Sequence, residues 1–233
     1  MTISDLRSEE WNASYARRDN FLFYPHEEVI RFVAKYVCKR VGYDEYVWHL
    51  PEGPRRGLGV GCGIGRHVFY LDDCGLDAYG IDLSDEAIRA AQSLARKLGR
   101  EHLVNHFVVR SATEMPYSDN YFQVAISHGV LDSMPFAVAR DVVRETHRVL
   151  DQGGVFYLDL ISGADNNHGR EFSGEENVVT QHEENTIQSY FNYSRILELL
   201  EGFFTIKEGV LVTRAALLSP GSKSRYHLFL QRN

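Results

Sequence analysis

Residues 57–65 read GLGVGCGIG, with glycine at every odd position. In a strand, residues two apart share one face, so five alternating glycines would leave one side of that strand bare. Glycine packs poorly in a strand interior and loses more backbone entropy there than any other residue. The later glycines therefore belong to a strand-to-helix turn. Such a turn lets backbone approach a ligand closely, and the helix that follows offers it free N–H groups. The same run is also compatible with tight helix–sheet packing and no ligand, so its surroundings must decide.

Those surroundings alternate between strand and helix patterns. Residues 26–41 carry Val29, Ile30, Phe32, Val33, Tyr36, Val37 and Val41 at helical spacing. A helix is predicted from Arg66 to Asp73 after the glycines, then a strand over 77–83. Residues 84–99 read as a helix capped by Ser84, with Asp85 and Glu86 at its positive end and Gly99 as its stop. Strands are predicted over 106–110 and 122–127, a helix over 136–150, a buried strand over 155–161 and a helix over 193–204. Strands over 205–213 and 225–232, with no helix between them, suit an antiparallel return. The alternation predicts an α/β fold: a doubly wound, mostly parallel seven-stranded sheet with helices on both faces and an antiparallel last strand. Residues 1–50 are expected to form a helical segment packing on a core of 51–233, with a lid-like insertion at 162–192. Ligands of such sheets sit outside the carboxyl ends of the strands.

Composition narrows the partners. Lys and Arg total 25 against 32 Asp and Glu, a formal charge of −7. That sign provides no electrostatic footprint for nucleic acid or an anionic membrane. No apolar run approaches the roughly 20 residues of a membrane span, and the polar N-terminal stretch does not read as a signal peptide. Cys38, Cys62 and Cys74 lack metal-ligand spacing, and their odd number fits reduced thiols. The expectation is a cytoplasmic protein without a metal and without a nucleic-acid or membrane partner.

Spacing then separates the possible ligands. The dinucleotide fingerprint wants Gly-x-Gly-x-x-Gly/Ala. Counting from Gly57, Gly59, Gly61 or Gly63, the sixth position is Cys62, Ile64, Arg66 or Val68, which disfavours a nicotinamide oxidoreductase. The pattern Gly-x-Gly-x-Gly in GVGCGIGRH (59–67) instead resembles motif I of the class I S-adenosylmethionine-dependent methyltransferases. YGIDLSDEAIRAA (79–91) resembles that family's second motif. The segment 111–134 is similar to its adenine-contacting segment and fourth strand, and 144–160 to its following helix, turn and fifth strand.

The resemblance implies S-adenosylmethionine as cofactor and assigns residues to it. Gly61, Gly63 and Gly65 would form the turn beneath it. Asp82 lies 21 residues beyond Gly61, the distance expected of a ribose-binding carboxylate, and its two oxygens suit two adjacent hydroxyls. Leu83 would lie near the adenine, Ala112 and Thr113 would present backbone groups to its edge, and Ser127 would end the fourth strand beside the cofactor. Tyr15 would cover the methionine end or, alternatively, anchor the N-terminal segment. Two positions depart from the family: Gly59 stands where an acid is usual, and Ser111 where Asp is frequent. The first departure motivates a second reading, a non-catalytic cofactor-binding or interaction protein, and predicts that an acid restored at 59 would tighten binding.

A sulfonium methyl is already electrophilic, so catalysis is alignment, exclusion of water and, for an oxygen acceptor, removal of a proton. His128, just after the fourth strand, is the candidate base. Asp132 is a weaker candidate or a helix cap before Pro135, and His67 is expected to support the glycine turn. The insertion 162–192 holds six acids and one arginine; TIQSYF (186–191) would add an edge strand, with Tyr190 and Phe191 walling the pocket. The return RAALLSPGSKSRYH (214–227) carries Arg214, Lys223, Arg225 and His227 and no acid. It suggests an anionic acceptor, such as a sugar acid or nucleotide-linked sugar.

Overall fold

The computed structural model describes residues 3–18, 20–164, 174–178, 186–218 and 221–233. Seven strands build one sheet: β1 (Arg56–Val60), β2 (Asp77–Asp82), β3 (Phe107–Val109), β4 (Phe122–Ser127), β5 (Leu150–Ile161), β6 (Phe204–Ala215) and β7 (Ser222–Arg232). Their spatial order is β6-β7-β5-β4-β1-β2-β3. Pairings among β1 to β5 are parallel, whereas β7 runs antiparallel to both β5 and β6. The doubly wound sheet with an antiparallel seventh strand is therefore present as expected from sequence. Strand order reverses beside β1, between β4 and β2, and a crevice at the carboxyl ends is the usual result.

Helices α1 (Ile3–Ala16) and α2 (Glu27–Tyr36) precede the sheet. Helices α3 (Arg66–Asp73), α4 (Asp85–Lys97), α5 (Phe136–Val149) and α6 (Tyr193–Leu200) follow in order. On one face Phe32 and Val33 of α2, Val68 and Leu71 of α3 and Ile88 and Ala91 of α4 bury against Ile126, Tyr157 and Phe229. On the other, Val142 of α5 and Leu199 of α6 bury against Leu58, Leu158 and Leu228. Neighbours such as Leu228 and Phe229 fall on opposite faces, as the period of 2 demands.

Gly57 and Gly59 lie within β1, and their bare side is where α3 presses down. A Cβ at Gly57 would stand 2.8 Å from Leu71 Cδ1, and one at Gly59 would stand 2.7 Å from Val68 Cγ2. Gly61, Gly63 and Gly65 form the turn into α3 and all have positive φ.

Three local expectations change. The helix predicted over 26–41 ends at Tyr36, because Cys38–Arg40 pair antiparallel with Tyr46–Trp48. The β-branched residues that close the helical pattern, Val37 and Val41, serve an extended chain equally well. TIQSYF does not extend the sheet: Thr186–Tyr190 pairs with Gly174–Val178 in a separate ribbon. Phe191 is buried with the apolar residues of α5 and α6 and touches Phe136 at 6.3 Å between ring centroids, so it packs the core rather than walling the cavity. The rest of the insertion lies outside the described residues.

Candidate active site

A cavity of about 580 Å³ opens at the carboxyl ends of β1, β2 and β4. Tyr15, Gly61, Gly63, Asp82, Leu83, Ala112, Thr113 and His128 all line it. Gly65 and Ser127 stand behind the wall. Gly65 is the N-cap of α3 with φ 90°, held against Phe107. Ser127 is buried at the end of β4, and its hydroxyl has no hydrogen-bond partner among the described residues.

The glycine turn and Asp82 are joined. Asp82 Oδ2 accepts the Gly63 N–H at 2.8 Å, and Oδ1 accepts the Ser84 N–H at 2.9 Å. Burial raises the carboxyl's pKa, and these N–H groups oppose the rise. Ser84 caps α4 by accepting from Ala87 N at 3.1 Å and donates to Asn12 Oδ1 at 2.6 Å, which docks α1 on the cavity's edge. Tyr15, from the last turn of α1, lies over the turn: its hydroxyl is 2.6 Å from where a Gly63 Cβ would be. At φ +55° in that space, residue 63 admits glycine alone. Ser111 Oγ accepts the Thr113 N–H at 3.3 Å and meets Thr113 Oγ1 at 2.8 Å, so it shapes its own turn beside the cavity.

The opposite end holds a polar cluster that sequence spacing did not reveal. His128 stands 4.4 Å from His26 and 5.3 Å from His67, ring to ring, and His26 stacks on His227 at 5.3 Å. Among the described residues no such group is arranged to hold a metal ion. Arg66 Nη2 donates to His128 Nδ1 at 3.1 Å. That contact assigns the lone pair to Nδ1 and the hydrogen to Nε2, which faces Asp159 Oδ2 at 3.6 Å. Burial, reinforced by Arg66, pushes the imidazole down to about 4, so His128 is neutral at physiological pH. His67 Nε2 accepts the His26 N–H at 3.3 Å, so its ring ties α2 to the turn, and it also lines the cavity.

Behind His128 lies an ion network. Arg225 donates from Nε to Asp159 at 2.8 Å and from Nη2 to Asp132 at 2.5 Å. Gly129 N–H also bonds Asp159, at 2.6 Å, and Ile161 N–H bonds Asp132, at 2.9 Å. Burial works against the Asp159 anion, but Arg225 and His128 hold it below the usual carboxylate range. Burial instead lifts Asp132 to about 6. Asp132 does not cap α5: Pro135 occupies the N-cap position, and Glu175 Oε1 accepts the Phe136 N–H at 2.7 Å.

The basic return is likewise engaged. Arg225 holds the two carboxylates, Arg214 pairs with Glu27, and His227 Nδ1 meets the Tyr157 hydroxyl at 2.8 Å. The sequence did carry one signal for this cluster. An aspartate inside the apolar run VFYLDLI is a rare burial that requires a partner.

Residues 58–158 match the family described as Methyltransferase domain. Ajmaline N-methyltransferase from Rauvolfia serpentina is 30% identical over 133 residues, covering 56% of this chain and 43% of that enzyme. A second Rauvolfia relative is matched over 25% of its length, so the similarity spans less than half of either. Among solved structures, a SAM-dependent methyltransferase from Methanosarcina mazei superposes with TM-score 0.62 at 22% identity, covering 78% of this chain and 94% of that one. Magnesium protoporphyrin IX methyltransferase from Synechocystis superposes with TM-score 0.64 at 14% identity, over 100% of this chain and 98% of that one. Sheet order, glycine turn and strand-end aspartate thus agree with the match of residues 58–158 to the Methyltransferase domain family.

Proposed function

We propose that this protein transfers a methyl group from S-adenosylmethionine to a small molecule. One observation carries the reading: a single cavity joins a glycine turn and a strand-end carboxylate to a neutral, buried histidine. The residues fit the cofactor. Asp82 faces the cavity with both oxygens already oriented by backbone N–H groups, and its remaining acceptor capacity suits the ribose hydroxyls. Leu83, Ala112 and Thr113 supply an apolar and backbone-lined slot for the adenine, and Tyr15 with Gly61 and Gly63 a narrow passage for the methionine chain. Ser127 and Gly65 support this wall from behind. When bound, the cofactor supplies an electrophilic methyl on a sulfonium.

For a hydroxyl acceptor, His128 Nδ1 receives the proton, and Asp159 behind Nε2 stabilises the resulting imidazolium. The finer reading is that the acceptor is anionic, of the sugar-acid or nucleotide-linked sugar class. Arg214 and Arg225 are not its anchors, since both are paired within the protein. The three thiols are free, which supports a reducing compartment such as the cytoplasm. Among the described residues no helix is long and apolar enough to cross a membrane.

Gly59 does not favour a non-catalytic role, because Val68 and Cys62 fill the space its missing side chain would occupy. Calorimetry with S-adenosylmethionine, S-adenosylhomocysteine and NAD tests the reading. Binding of the first two and not of NAD is expected, and preference for NAD would overturn it. Once an acceptor is found, His128→Ala should lower turnover about 10²-fold or more while sparing cofactor affinity.

A further inference from the structure

Arg66 is a charge of the cavity wall that the proton path above leaves without a task. Its guanidinium carries five N–H donors. In the structure it gives one to His128 Nδ1 at 3.1 Å and one, at 3.4 Å, to the carbonyl of Tyr24. Among the described residues no carboxylate lies within ion-pairing distance of it. Arg225, only one layer away, shows what a satisfied guanidinium looks like here: two carboxylates, both buried. A half-buried arginine whose two hydrogen-bond partners are neutral, and on which Asp159 acts only through space, can still accept a direct anionic partner, and it lines the cavity.

We propose that Arg66 captures the acidic group of the methyl acceptor, and that this capture releases His128 Nδ1 to accept a hydrogen bond from the acceptor's hydroxyl. The inference rests on the methyl-transfer reading above and names its substrate class. Because Arg66 Nη2 and His128 Nδ1 are 3.1 Å apart, the acid and the hydroxyl must be close neighbours on the acceptor. A hydroxyl one or two carbons from a carboxylate meets that condition, as the ring hydroxyl next-but-one to the acid of a uronic acid does. In the structure Arg66 Nη2 occupies the lone pair of the base. A neutral molecule offers nothing to draw the guanidinium away, so the same contact that masks the base selects for charge.

The cofactor has a carboxylate of its own, and the test must separate the two sources. The wild-type chain, Arg66→Gln and Arg66→Lys are titrated with S-adenosylhomocysteine and with 5′-methylthioadenosine, which lacks the amino-acid portion. Proteins saturated with S-adenosylhomocysteine are then titrated with D-glucuronate, orthophosphate and D-glucose. Nitrogen-15 resonances of the His128 ring are followed throughout. Wild type is expected to bind glucuronate or phosphate and not glucose, and Arg66→Gln to bind the anion about tenfold or more weakly. Arg66→Lys should recover part of that loss. S-adenosylhomocysteine affinity should stay within about threefold in both variants, because the cofactor contacts are elsewhere. Anion binding should move the His128 Nδ1 resonance in wild type.

Loss of S-adenosylhomocysteine affinity in Arg66→Gln with unchanged 5′-methylthioadenosine binding would assign Arg66 to the cofactor's carboxylate and overturn the proposal. So would equal anion affinity in wild type and Arg66→Gln, or no anion binding to loaded wild type. A stationary His128 resonance at anion saturation would overturn the release of the base. Should Arg66→Gln not fold, as melting curves would show, Arg66→Lys carries the same comparison. Failure of wild type to bind S-adenosylhomocysteine at all would strike the methyl-transfer reading instead, and is thereby distinguishable.

Discussion

Arg225→Met isolates the energetics of the buried network. Methionine keeps an unbranched apolar stem and removes the guanidinium. Two carboxylates remain in the interior, with side-chain exposures of 2% for Asp132 and 0% for Asp159. Each retains one backbone donor, Ile161 N–H and Gly129 N–H respectively, which is too little to hold an anion out of water. Removing one partner of a buried ion pair costs about 3–5 kcal/mol. For a chain of this size that corresponds to a melting temperature lower by roughly 6–20 °C. The deficit must also depend on pH. Without Arg225 the folded pKa of Asp159 rises above the unfolded value of about 3.9, and that of Asp132, already about 6, rises further. The penalty is then full above those raised values and fades as pH falls towards 4, because the protonated acids are neutral. Urea unfolding followed by circular dichroism at pH 8 and pH 5 reads both quantities. Adding Asp132→Asn should recover part of the loss at pH 8. A deficit below about 1 kcal/mol, or one equal at both pH values, would refute the view that Arg225 neutralises buried charge.

Asp82→Ala should leave a folded protein of somewhat lower melting temperature, since Gly63 and Ser84 N–H lose their acceptor, and should weaken S-adenosylmethionine binding about tenfold or more; unchanged calorimetric affinity would remove Asp82 from the site. Gly59→Asp should destabilise by about 1–3 kcal/mol or more rather than tighten the cofactor, because its Cβ would stand 2.7 Å from Val68 Cγ2; tighter binding at undiminished stability would contradict the packing. In the wild type, Asp132 titrates at about 6 when folded, against about 3.9 unfolded. Its contribution therefore falls by roughly 3 kcal/mol as pH rises from 4 through 6, and Asp132→Asn should flatten the stability profile over that window; an unaltered slope would show that the group does not titrate there.

The parts legible in the sequence are those set by local chemistry. Ser84 with Asp85 and Glu86 specifies a helix start, and three glycines with positive φ specify the turn, whatever the rest of the chain does. Gly59 is legible only halfway: the sequence shows that an acid is missing, while the structure shows Val68 in its place. The cluster around His128 depends on distances along the chain of 62 residues to Arg66 and of 66 between Arg225 and Asp159. No periodicity reports such pairings. They follow from sheet register, in which His227 stands opposite Asp159. TIQSYF was read correctly as a strand and wrongly as a sheet edge, because pairing partner, unlike strand propensity, is decided by what else lies near.

The position of β7 between β5 and β6 has a consequence for synthesis. Residues 222–232 leave the ribosome after the other six strands, yet they hold the space between two of them. Until they arrive, β6 has no neighbour in the sheet, and Asp159 waits for an arginine that is encoded 66 residues later. A nascent chain halted before residue 225 already contains the glycine turn, Asp82 and the first five strands, but lacks the guanidinium that pairs Asp132 and Asp159. The residues of the glycine turn and Asp82 are thus synthesised well before the strand whose arginine completes the ion network behind His128.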